Sequence, residues 1–237
     1  MVRTSTIRCM VTLEVGIWQT GELTNDLDSV GNKWSGAARV KTYLEGAFSH
    51  SGNPHSINAS VMTEKIPAPT EHVTESFTAD YPCDRSFELS YDNLNQWWED
   101  YIKCNITDKE DCVLLLTNRD SGAGLCTSSH YATAEGGFDM GMAPGNYERY
   151  GDGDEFSSLS TALHEAGHAF LGKSTEFEHN AGTVVRTTTG VHRTPFGDDG
   201  MTEDACGNSV PYDWHHSGHQ ALYFNPDCTV NHIEHTD

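Results

Sequence analysis

Residues 154–172 read DEFSSLSTALHEAGHAFLG, and this stretch decides how the rest of the chain is read. Leu159, Ala162, Leu163, Ala166, Ala169 and Phe170 recur at three- and four-residue spacing, which predicts a helix with one apolar side turned to a core. Asp154 or Ser157 offers an N-cap oxygen, and Gly172 can end the helix in a left-handed conformation. His164 and His168 stand four residues apart, so they share one face, one turn apart, and both imidazoles can reach a single ion. Imidazole nitrogens at about 2.0 to 2.1 Å suit Zn²⁺, and Glu165 lies beside the coordination position left open. Gly167 costs about 1 kcal/mol against Ala inside a helix, a cost explained if another part of the chain packs closely there.

Two histidines do not complete a zinc site; a third protein ligand is expected, with water in the fourth position. Downstream, Glu176, Glu178, His179, His192, Glu203, His215, His216 and His219 are the available donors. His179 is the first choice, because a turn at Gly172 leaves seven residues in which the chain can return to the metal. His192 and the carboxylates remain open as alternatives. His215, His216 and His219 read more simply as the polar face of a helix over about 213–224.

Working outward, residues 8–18 alternate as a strand, and a long helix is expected from about Asp26, capped by Asn25 and running to Phe48. Ser56 to Ile66 reads as a second strand, closed by Pro67-Ala68-Pro69. Leu94, Trp97, Trp98, Tyr101 and Ile102 form an aromatic helical face that belongs in a core. The run from Cys112 to Thr117 is continuously apolar up to its last residue, the pattern of a strand buried on both faces. Tyr131 to Phe138 carries small and polar residues and is expected to be an exposed edge strand, followed by a Gly/Met/Pro-rich loop to about Gly153. The last 65 or so residues show little periodicity. The expectation is one α+β domain spanning residues 1–237, with an N-terminal lobe (1–172) that holds the sheet and the HExxH helix, and an irregular C-terminal lobe (173–237).

The 237 residues carry 35 Asp+Glu against 14 Lys+Arg, a formal net charge of -21. So negative a surface excludes nucleic acid as a partner, since phosphate binding needs clustered cations. No apolar run approaches the roughly 20 residues of a membrane-spanning helix, so no membrane partner is expected either. The acidity also fits a halophilic setting, where counterions screen self-repulsion. Seven scattered cysteines, none in a CxxC pair, suit disulfides and an extracellular location; by proximity Cys104 is expected with Cys112, and Cys206 with Cys228. Met1 to Met10 has no apolar signal-peptide core.

The motif and the order of elements resemble the metzincin clan of zinc metallopeptidases. The likeness rests on a strand and long helix, a buried strand from Val113 to Thr117 followed by Gly124-Leu125, a candidate edge strand, an HExxH helix ending at a glycine, and Met201 in a Gly-rich segment. The clan's motif, HExxHxxGxxH, puts glycine three residues and the third histidine six residues after the second histidine; here Gly172 comes at four and Ser174 holds the sixth place. The resemblance implies a zincin-like fold with a twisted mixed sheet, and a monomeric endopeptidase with zinc as its cofactor and a peptide or protein as its substrate. It implies that Met201 forms a turn beneath the metal and that Glu165 is the general base. An edge strand carrying Ala132, Ala134 and Gly136 would bind the peptide by strand addition. A catalytically silent zinc-binding surface protein of the same fold is the competing reading, although a purely structural site has no use for Glu165.

Overall fold

A computed structural model describes residues 10–31, 36–51, 55–107, 110–119, 123–126, 130–143, 147–150, 154–171, 184–187, 190–196, 219–226, 228–229 and 233. The central element is β5 (Cys112–Leu116), whose residues are all fully buried. Alternation along the strand sends Cys112, Leu114 and Leu116 into one core and Val113 and Leu115 into another on the opposite face. Around it lies a five-stranded sheet in the order β2-β1-β5-β7-β6, built from β1 (Thr12–Thr20), β2 (Ser56–Ile66), β6 (Gly124–Cys126) and β7 (Tyr131–Ala134). β1, β2, β5 and β7 run parallel to their neighbours, while β6 is antiparallel to β7. The protein is thus α+β with a mixed sheet.

Helices cover both faces. On one lie α1 (Gly21–Ser29), α2 (Gly36–Ser51), α4 (Gly137–Met142) and α5 (Asp154–Phe170), packed on Leu13, Val15, Ile17, Leu114, Ala132 and Ala134. On the other lies α3 (Leu94–Asn105), whose Trp97, Trp98, Tyr101 and Ile102 meet Trp18, Val113 and Leu115. Trp98 stands edge-on to Trp18, with ring centroids 5.5 Å apart, and donates from its indole nitrogen to Val113 O at 3.1 Å. β3 (Phe77–Tyr81) and β4 (Asp84–Tyr91) form a separate antiparallel hairpin, which the sequence pattern did not separate from loop because its residues are largely exposed. A second sheet, ordered β8-β11-β10-β9, joins β8 (Glu148–Tyr150) to β9 (Val184–Thr187), β10 (Gly190–Arg193) and β11 (His219–Ala221).

Several expectations are corrected. The single long helix is two: Thr20 caps α1 by accepting from Leu23 N at 3.3 Å, and Gly31, at φ 64°, closes it. The Gly/Met/Pro-rich loop contains the short helix α4. The C-terminal lobe is less irregular than expected, since β9, β10 and β11 lie in it, and residues 219–221 are strand rather than helix. Cys104 pairs with Cys83, not Cys112. The sheet itself separates the expected pair, because Cys112 enters the core on the α5 face while α3, which ends near Cys104, packs on the opposite face. Cys112 and Cys126 are thiols; Cys228 is disulfide-bonded, and its expected partner Cys206 lies outside the described residues.

The edge strand is also reassigned. β7 sits between β5 and β6, so Ala132 and Ala134 are interior and fully buried, and the sheet ends at β6. Asn95 of α3, itself fully buried, fixes that edge by donating from Nδ2 to Leu125 O at 3.1 Å and to Tyr131 O at 3.0 Å. Replacing Asn95 by Ala removes donors from two strand carbonyls. The expected result is a loss of about 1–3 kcal/mol in denaturant unfolding, with faster amide exchange in β6.

Candidate metal centre

α5 is amphipathic as its spacing predicts, with Leu159, Ala162, Leu163, Ala166, Ala169 and Phe170 buried against the sheet. That docking leaves His164 and His168 only partly covered, while Glu165 is 7% exposed. The two imidazole tips converge: Nε2 of His168 lies 2.8 Å from Nε2 of His164, and the ring planes stand at 89°. Nδ1 of His164 is 2.7 Å from Pro195 O. A carbonyl can only accept, so the Nδ1 proton donates to it and the neutral ring carries its lone pair on Nε2. One proton is shared between the two facing Nε2 atoms in this contact.

The same arrangement fits a cation. Two nitrogens at about 2.0 to 2.1 Å from a tetrahedral Zn²⁺ lie roughly 3.3 Å from each other, so the ring tips need to part by only about 0.5 Å. The Pro195 carbonyl already supplies the outer hydrogen bond that orients a metal-binding histidine and fixes its tautomer. Among the described residues no group of three His, Cys, Asp or Glu side chains forms a complete site. His179, the expected third ligand, and Met201, the expected turn residue, lie outside the described residues, as do Glu176, Glu178, Glu203, His215 and His216. His192 lies on β10, opposite Val185 of β9.

Two neighbours hold α5 through contacts that the sequence pattern did not give. At Gly124 of β6, a Cβ would overlap the Glu165 side chain and the Thr161 methyl, so the edge strand passes directly against the acid. At Gly167, a Cβ would overlap the ring of Phe196, which answers why a helix interior carries glycine there. The motif flagged Gly167 as a site of close packing, but nothing in the spacing could name Phe196, which lies 29 residues further along the chain. Gly136, at φ 83°, precedes α4 and packs on Ser158 of α5; together with Ala132 and Ala134 it faces the interior, not a peptide.

No protein-family model matches the chain, and no curated protein matches it. Among solved structures, it is similar to a chain described as "Structure of a chaperone-substrate complex", with 13% identity and a TM-score of 0.42. That match covers 95% of this chain, which spans 35% of the length of the other.

Burial pushes the Glu165 carboxyl up from its ordinary 4.5 to about 8. The folded chain therefore holds a proton there that the unfolded chain has already released. Its contribution to stability is fully present below about pH 4.5, falls as pH rises, and levels off above about pH 8; the whole change is at most about 5 kcal/mol. In chelator, wild-type stability should decline across that window more steeply than that of Glu165→Gln, which carries no titrating group. Parallel denaturation profiles for the two proteins would contradict the burial of this carboxyl.

Proposed function

We propose that the chain is a zinc-dependent metalloendopeptidase of metzincin-like fold, acting on extended peptide or protein segments. The observation that carries this reading is the convergence of His164 and His168 at 2.8 Å beside the buried carboxyl of Glu165, next to β6, the last strand of the sheet among the described residues. His164 and His168 would hold the ion, with His179 as the proposed third ligand. A zinc ion held there supplies Lewis acidity toward a scissile carbonyl and an attacking water.

The chain's own residues account for the remaining steps. Glu165 takes the proton from the attacking water and delivers it to the leaving amine. Burial favours the protonated form of this carboxyl and a neighbouring cation would favour the ionised form, so an ion held by the two histidines would make Glu165 available as the base. Pro195 O keeps the His164 proton on Nδ1, so Nε2 remains the donor atom. The substrate strand belongs at β6, not at β7 where Ala132, Ala134 and Gly136 were expected to bind it. Glu135 N donates to Ala123 O at 2.8 Å, so in the antiparallel ladder with β7 the hydrogen-bonded pairs are 123/135 and 125/133. Gly124 then turns its N–H and C=O away from β7. A peptide that pairs there would run beside Glu165, because Gly124 is the residue in contact with it.

The scattered cysteines, of which Cys83–Cys104 forms a disulfide, support an extracellular location, and the negative surface supports function at high salt. No helix among the described residues is long and apolar enough to cross a membrane.

Glu165→Gln separates binding from chemistry. The variant should retain zinc at the wild-type stoichiometry while losing at least about 10²-fold in the rate of peptide cleavage. Equal rates would remove Glu165 as the base, and loss of zinc would assign it to the metal instead.

A further inference from the structure

Helix geometry divides the surroundings of the two imidazoles into two sides. At about 100° per residue, the order around α5 is Gly167, His164, His168, Thr161, Glu165. β6 covers the Glu165 end of this arc through Gly124. Phe196 covers the Gly167 end: its ring fills the space a Cβ would take, and its centroid lies 5.4 Å from that of His164 and 5.7 Å from that of His168.

Phe196 is itself held firmly. It is 1% exposed, its backbone N–H donates to Thr194 Oγ1 at 3.2 Å, and Phe224 backs its ring at 5.3 Å. Phe224 in turn meets Phe48 of α2 at 5.2 Å, so the ring is anchored in the main core. The residue before it supplies the carbonyl that orients His164. One buried ring thus braces both imidazoles and also fixes the segment that sets the tautomer of the first.

We infer that Phe196 is the positioning residue of the metal centre, an apolar wall that fixes both histidine planes and closes the Gly167 side of an ion's coordination sphere, the side away from Glu165 and β6. The inference rests on the proposed reading of the pair as a metal site. A phenyl ring offers no lone pair to a metal and excludes water from its side. Water and substrate are therefore kept from the Phe196 side, and neither a carboxylate nor an extra water can fill the position that the ring occupies.

The test compares wild type, Phe196→Leu and Phe224→Leu in the full chain. Zn²⁺ affinity is measured by competition with a chromophoric chelator, and the visible spectrum is recorded with Co²⁺ in place of zinc. Phe196→Leu should bind zinc about 10- to 100-fold more weakly, the range seen when an outer partner of a metal ligand is lost. Its Co²⁺ band should also weaken as added water raises the coordination number. Phe224→Leu removes similar volume from the same core without touching either histidine, and should shift both readouts far less. Wild-type affinity and spectrum in Phe196→Leu, or equal losses in the two variants, would overturn the wall while leaving the metal centre standing. A wild-type chain that binds no zinc would overturn both.

Discussion

The site depends on a helix clamped at two missing Cβ atoms. α5 lies so close to β6 at Gly124, and to Phe196 at Gly167, that an alanine at either position would overlap its neighbour. Those two contacts set the rotation of the helix. With the rotation fixed, His164 and His168 share one seam, Glu165 faces the sheet edge, and the apolar side is spent on Leu114, Ala132 and Ala134. A helix free to turn by the angle of one residue would exchange the acid for an alanine.

That rotation carries an electrostatic cost. Glu165 is placed where burial disfavours its charge, in a position that an apolar side chain would fill with less penalty. Structural packing gives no reason for a carboxyl there; the proposed proton transfer beside a cation would give one. The rest of the fold supplies rigidity to the same place. β5 is buried on both faces, α3 pins the sheet from behind through Trp98 and Asn95, and the chain of rings from Phe48 through Phe224 ends on Phe196.

The local elements that bury an uninterrupted or periodic apolar set were legible from sequence. β2, β5, α3 and α5 follow directly from alternation, from the run at Cys112 to Leu116, and from the spacing of Trp97, Trp98, Tyr101 and Ile102. What failed were features set by partners distant in sequence. The edge position went to β7 because its small residues resemble an exposed strand, whereas they are small because α5 packs on them. The exposed hairpin of β3 and β4 leaves almost no hydrophobic pattern to read. Of the candidate site, the shared face of His164 and His168, the place of Glu165 beside them and the need for a contact at Gly167 were legible, but the contacts made by Phe196, Pro195 and Gly124 arise from tertiary proximity that no spacing rule encodes.

The most direct test of the account is elemental analysis of the purified chain, paired with cleavage of an unstructured protein substrate in high salt with and without chelator. The account predicts one zinc per chain and cleavage that chelator abolishes and added zinc restores. A chain that binds no zinc, or that holds zinc and cleaves nothing, would contradict it.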